Sequence, residues 1–185
     1  MDQEFKIIVK SPLELTQVEV EKMFDLNTKM YPDFKEVYEA NRYYSYNKPD
    51  MLAMVFDGDL LIADGNWGVK TVGNGMTLAF FGLLVETKYQ GRGVGRMMAD
   101  RLIQLSEERG VDMIFASTKN PIVETMMINR GFQSYTKPVR YKAYETHEVK
   151  EMLSEGYKIF IKARNDAAEK FLNEGKVLEI GLGPI

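Results

Sequence analysis

The hydrophobic positions of this chain change period several times, and each change marks an element. Phe5 to Val9 reads as a short strand. Thr16-Gln17-Val18-Glu19 is a capping box, and behind it Val20, Met23, Phe24, Asn27 and Met30 fall on one side of a helix. Pro32 interrupts that helix, and "DFKEVYEANRYYSY" predicts a second one rich in tyrosine. Three strand-like runs follow, Met51 to Phe56, Leu60 to Val69 and Met76 to Val85, separated by the turns "DGD" and "GNG". A glycine-rich stretch then feeds an amphipathic helix with Val94, Met97, Met98, Leu102 and Leu105 at helical spacing, closed by Gly110. Met113 to Ala116 is a buried-type strand. Asn120-Pro121 opens a helix that stops at Gly131, and Gln133 to Lys137 and Val139 to Tyr144 predict two more strands.

Beyond Tyr144 the pattern predicts a helix over His147–Glu155, a strand over Tyr157–Lys162, a short helix between Asp166 and Gly175, and a last strand in "KVLEIG". This order predicts an α/β fold of α+β-like character: a central twisted mixed sheet flanked by helices, with a C-terminal α-β-α-β extension. No internal repeat or low-complexity tract interrupts it.

Composition narrows the chemistry. The chain of 185 residues has a net charge of −3, so nothing in its overall charge favours nucleic acid. Zero cysteines exclude disulfides, thiolate catalysis and Cys-based zinc sites, and fit a cytoplasmic setting. The single histidine, His147, excludes the usual two-histidine metal motifs, so no metal is expected. The N-terminal stretch is acidic at its front with a short apolar run, unlike a signal peptide. The longest mainly apolar run, Met76 to Val85, falls well short of the roughly 20 residues of a membrane helix, so no membrane partner is expected.

The stretch "LLVETKYQGRGVGRMMADRL", Leu83 to Leu102, concentrates the candidate chemistry. It lacks the G-x-x-x-x-G-K-[ST] of a nucleotide P-loop. Its G-x-G-x-G spacing places Arg96 where a Rossmann fingerprint needs its third glycine, and Asp112 begins the following strand instead of ending it. Glycines at 91, 93 and 95 before a helix suit a backbone that must approach an anion, with Arg92 and Arg96 as charge-assisted partners.

The same stretch resembles motif A of the GNAT acyltransferases (the Gcn5-related N-acetyltransferase superfamily), Q/R-x-x-G-x-G/A after a strand and opening a helix. Here it is Gln90-x-x-Gly93-x-Gly95, and Asn120 with Gly131-Phe132 matches the spacing of the family's downstream N…GF segment. The resemblance covers roughly Phe5 to Tyr144 and is strongest between Phe80 and Phe132. It implies an acetyl-CoA-binding domain over 1–144, with 145–185 as an extension packed on or next to it. It implies that Leu83, Leu84 and Val85 present a bulged strand to the pantetheine arm, one N–H polarising the thioester. Gln90, Gly91, Arg92, Gly93, Val94, Gly95 and Arg96 would hold the pyrophosphate, and Asn120 the pantetheine. The activity implied is acetyl transfer from acetyl-CoA, as co-substrate, to a primary amine of a small molecule or peptide, with a homodimer as an allowed assembly.

Direct transfer also needs a base, and an acid for the departing thiolate. At the position of the family's usual tyrosine acid this chain has Met127, so Tyr135, Tyr141, Ser117, Thr118 or water must substitute. The strand Thr77 to Val85 carries no acid, which leaves Glu86 and Asp64 as candidate bases. Asp64 stands out because it interrupts an otherwise apolar strand. Tyr31, Tyr38, Tyr43, Tyr44 and Tyr46 fall where the family's acceptor elements lie, either lining an acceptor pocket or packing on the sheet. The rival reading is a catalytically weak or inactive protein of the same fold that binds a partner protein, with or without CoA.

Overall fold

The computed structural model describes residues 5–41, 49–143, 146–174 and 177–182. Its strands are β1 (Lys6–Lys10), β2 (Met51–Asp57), β3 (Leu60–Val72), β4 (Met76–Val85), β5 (Met113–Thr118), β6 (Gln133–Tyr135), β7 (Val139–Lys142), β8 (Val149–Glu151), β9 (Lys158–Ala163) and β10 (Leu178–Leu182). Its helices are α1 (Gln17–Met30), α2 (Lys35–Asn41), α3 (Val94–Glu108), α4 (Pro121–Ile128) and α5 (Asp166–Asn173). The mixed α/β architecture expected from the pattern is present. The described residues divide into two compact units, one running to Gly68 and resuming over Phe81–Gln104, the other taking Val69–Phe80 and Leu105 onwards. No helix among the described residues is long and apolar enough to cross a membrane.

In the first unit the strand order is β1-β2-β3-β4, with β1, β2 and β3 antiparallel. The capping box starts α1 as its sequence requires: the Thr16 hydroxyl accepts the Glu19 N–H at 3.2 Å, and the Glu19 carboxylate accepts the Thr16 N–H at 2.8 Å. Met23 and Leu26 of α1 then bury against Leu52, Met54, Leu61 and Leu84 of the sheet.

One irregularity decides which side chains face α1. Phe56 of β2 pairs with Leu61 and Val55 pairs with Ala63, so Ile62 is an extra residue in β3. Side chains alternate along a strand, and Leu61 and Asp64, three apart, belong on opposite faces of a regular one. The bulge shifts the alternation by one. Leu61, paired with Phe56, and Asp64, paired with Met54, therefore face α1 together, and Asn66, paired with Leu52, follows them.

In the second unit β4, up to Phe80, runs parallel to β5 through Leu78–Met113, Ala79–Ile114 and Phe80–Phe115. β9 is antiparallel to both β5 and β6 and lies between them. A second sheet, β10-β7-β8, draws on the C-terminal segment. The core of the second unit includes Leu78, Met113, Val139, Met152, Ile159 and Phe171. The helix predicted over His147–Glu155 is instead strand β8, paired with Arg140–Lys142 of β7, followed by a single 3-10 turn over Leu153–Glu155. Val149, Met152 and Leu153 imitate helical spacing, but pairing to β7 satisfies this backbone and the left-handed Gly156, at φ 79°, ends the turn. His147 itself is exposed, at a φ of 56°.

Candidate functional site

The glycine-rich loop lies between β4 and α3. A single turn over Thr87–Tyr89 leaves β4, and the Gln90 side-chain amide reaches back to donate to the Val85 carbonyl at 3.0 Å. Tyr89 is buried, donates its hydroxyl to the Asp57 carboxylate at 2.7 Å and meets Phe5 edge-on at 6.1 Å. The hydrogen bond to Asp57 holds the Tyr89 phenol above its ordinary pKa. So braced, the loop passes through Gly91 and Gly93 at φ 76° and 86°, a region that L side chains rarely adopt. A Cβ at either would meet nothing within 4 Å, so the space in front of this backbone is open.

Val94 is buried and anchors the first turn of α3, whose leading N–H groups have no acceptor within the helix. Gly95 differs from the other two glycines: a Cβ there would stand 3.5 Å from the Val85 side chain and 3.8 Å from Leu83, an ordinary contact. Arg96 is exposed on that turn. Arg92 lays its guanidinium over the Phe5 and Tyr89 rings at 5.4 and 5.1 Å.

Leu83 and Val85 point toward Gly95, so by alternation Gly82 and Leu84 point toward α1, where Leu84 joins the core. On that side lies a pocket of about 160 Å³ lined by residues of α1, β2, β3 and β4. Asp64 is in its wall, 5% exposed. Its carboxylate accepts one hydrogen bond, from the Asn27 amide at 2.5 Å, and forms no ion pair among the described residues. Burial pushes the Asp64 carboxyl up to about 7, against the smaller downward pull of the Asn27 hydrogen bond. Asn27 is itself oriented, its amide also donating to the Met23 carbonyl at 2.9 Å. The Asn66 carbonyl oxygen accepts the Gly82 N–H at 3.0 Å, so a side chain of β3 holds the backbone of β4 at the pocket.

The sequence pattern of the Acetyltransferase (GNAT) family matches residues 20–123, more than half of the chain. The chain belongs to the GNAT acetyltransferase family. Solved structures agree in fold. An acyl-CoA N-acyltransferase from Pseudomonas aeruginosa is 16% identical, with a TM-score of 0.61 over 86% of this chain and 100% of its own. Arabidopsis thaliana Naa50, in complex with the bisubstrate analogue CoA-Ac-MVNAL, gives 12% identity and 0.56 over 85% and 99%. The yncA protein from Salmonella typhimurium, with its cofactor acetyl-CoA, gives 12% and 0.54 over 88% and 95%. Among curated proteins none matches the chain.

The other residues singled out in the sequence fall into different settings. Glu86 is buried but engaged, its carboxylate 2.6 Å from the Lys29 ammonium and 3.8 Å from that of Lys88. Asn120 caps α4, its side-chain oxygen accepting the Ile122 N–H at 2.9 Å. Tyr135 is a core residue of the second unit, its phenol held above the ordinary value by burial. Tyr141 donates to Glu155 at 2.5 Å. Met127, at the GNAT tyrosine position, is 1% exposed and serves packing. Tyr31 lines the Asp64 pocket, whereas Tyr38 packs on the α1 core and lies 6.4 Å from the Phe34 ring; Tyr43, Tyr44 and Tyr46 lie outside the described residues. Asn66 is not singled out in the sequence, and Asn27 is placed on a helix side without a role. Asn27 lies on the predicted apolar side of α1, a polar residue facing the sheet, and that was the available signal.

Proposed function

We propose that this chain transfers an acetyl group from acetyl-CoA to a primary amine by direct attack, with Asp64 as the general base. The observation that carries the proposal is a buried carboxylate with one amide partner, in a pocket walled by the end of the strand that precedes motif A. A base titrating near 7 is charged over much of the physiological range and still basic enough to take a proton. Glu86, neutralised by Lys29, is poorly placed for that role. The donor would lie along Leu83, Leu84 and Val85 and across the loop from Gly91 to Arg96. Open space beyond Gly91 and Gly93, the start of α3 and the exposed Arg96 all fit a pyrophosphate. Gln90 acts there as a brace for the loop, and Asn120 is retained as a donor-side candidate on resemblance.

The reaction balances on these groups. The ammonium gives one proton to Asp64, which passes it to solvent. The freed nitrogen attacks the thioester carbonyl carbon, the C–S bond breaks, and a second N–H proton ends on the departing thiolate. No tyrosine acid is needed where water relays that proton to the leaving group.

Thiol release by wild type and Asp64→Asn, over pH 5 to 9, tests the assignment. The variant is expected to lose roughly 10²- to 10⁴-fold in kcat together with the ionisation near 7, while binding acetyl-CoA as wild type does. Unchanged kcat and pH profile would remove Asp64 from the mechanism. Tight binding of acetyl-CoA with no turnover on any amine would instead favour the rival reading, a CoA-bound module without catalysis.

A further inference from the structure

The pocket beside Asp64 restricts what the acceptor is. Its volume of about 160 Å³ resembles that of cavities that hold one benzene ring. Met23, Leu52 and Leu84 give it apolar walls, Tyr31 and Asn66 add polar groups, and among the described residues Asp64 is its one charged lining residue. The amide hydrogens of Asn27 go to Met23 and Asp64, and the Asn66 oxygen goes to Gly82. The pocket therefore offers one anionic acceptor, aimed inward and lacking a cation among the described residues.

Acceptors of different charge fare differently there. An α-amino acid would bring its carboxylate toward Asp64, with no lysine or arginine among the described lining residues to meet it. A polyamine or aminoglycoside that fills the pocket would bring a second ammonium toward Met23 and Leu52, where no second carboxylate stands among the described lining residues. A single ammonium on an apolar stem satisfies both ends at once: the charge pairs with Asp64 and the stem covers the leucines. Once acetylated it is a neutral amide with no charge for Asp64 to hold, which favours release.

We propose that the acceptor is a small monoamine, one primary ammonium on an apolar stem of about ring size, seated ammonium-first on Asp64. This rests on the acetyl-transfer reading above, and binding and turnover separate the two. Benzylamine, spermidine, L-phenylalanine and a short peptide with a free N-terminus are titrated calorimetrically into the protein saturated with unreactive CoA, then assayed with acetyl-CoA for thiol release. Benzylamine is expected to bind about tenfold or more tighter than the other three, and to lose about tenfold or more in Asp64→Asn, as when a charged hydrogen bond is removed. Unfolding of the variant is followed in parallel, so that lost binding is not lost fold. Preference for spermidine, phenylalanine or the peptide, or benzylamine affinity indifferent to Asp64, overturns the acceptor assignment. If one of those three is acetylated instead, acetyl transfer stands without it. Benzylamine held by Asp64 but releasing no thiol would sustain the pocket and sink the transfer. No monoamine binding at millimolar concentration overturns the pocket itself.

Discussion

An aspartate buried beside a single amide hydrogen bond is costly to fold when it is charged. The folded carboxyl of Asp64, at about 7, lies above its unfolded value of 3.8, so the folded state holds the proton more tightly. Stability from this group is complete below pH 4 and drains away as pH rises through 7. Asp64→Asn removes the charge at nearly constant shape. At about 1.4 kcal/mol per pKa unit it should stabilise the protein by a few kcal/mol at pH 8, a gain that narrows as pH falls toward 4. Thermal melts at both pH values check this; a variant less stable than wild type at pH 8 would contradict it. Asn27→Ala tests the other partner. Its hydrogen bond lowers the Asp64 pKa, so its loss should move the ionisation seen in kcat/KM to higher pH. A downward shift would mean that another group titrates in the kinetics. Asp64 was legible in the sequence as a charge within an apolar run. Its partner was not, because Asn27 lies 37 residues away and only packing of α1 on β3 joins them.

Elements carry the second level of the design. β3 and β4 approach so closely at Gly65 that a Cβ there would stand 2.7 Å from the Gly82 carbonyl oxygen and 3.1 Å from Met98 of α3. The methionine can move, but the backbone oxygen cannot without opening the strand pair beside the pocket. Gly65→Ala is therefore expected to cost about 1–3 kcal/mol, lowering Tm by several degrees. A Tm within a degree of wild type would show that the strands separate freely. The motif A glycines divide differently. Gly93→Val forces a β-branched residue to a φ of 86° and fills the open space, and is expected to abolish acetyl-CoA binding by calorimetry. Gly95→Ala meets only ordinary contacts and should retain it. Equal loss in both would refute the argument from backbone geometry. Motif A was readable because local spacing specifies a strand, a tight loop and a helix start in succession. The bulge at Ile62 was not. Nothing in "LLIADGNW" announces an extra residue, yet without it Asp64 would face away from α1.

For the molecule as a whole, the C-terminal segment matters more than its place in the sequence suggests. Local pattern found β9 and α5 but could not say where β9 pairs, because pairing is a tertiary choice between strands far apart in the chain. In the structure β9 lines all of β5, from Met113–Ala163 to Thr118–Lys158, and is the partner of every paired residue of β6. Ile159 and Ile161 of β9, Phe171 of α5 and Leu178 of β10 complete a core begun by Leu78 and Met113. A chain ending at Tyr144 would lose those side chains and leave β5 with an unpaired edge, a template for aggregation. Such a truncation is expected to lose cooperative urea unfolding in the second unit, and limited proteolysis should cleave between β5 and β7 at protease levels that spare the full chain. A truncated protein that unfolds as one sharp transition at the wild-type midpoint would show that β5 and β6 do not depend on β9. That outcome would make residues beyond 144 an appendage, whereas loss of the transition would make them part of the sheet that folds with β4, the strand that leads into motif A.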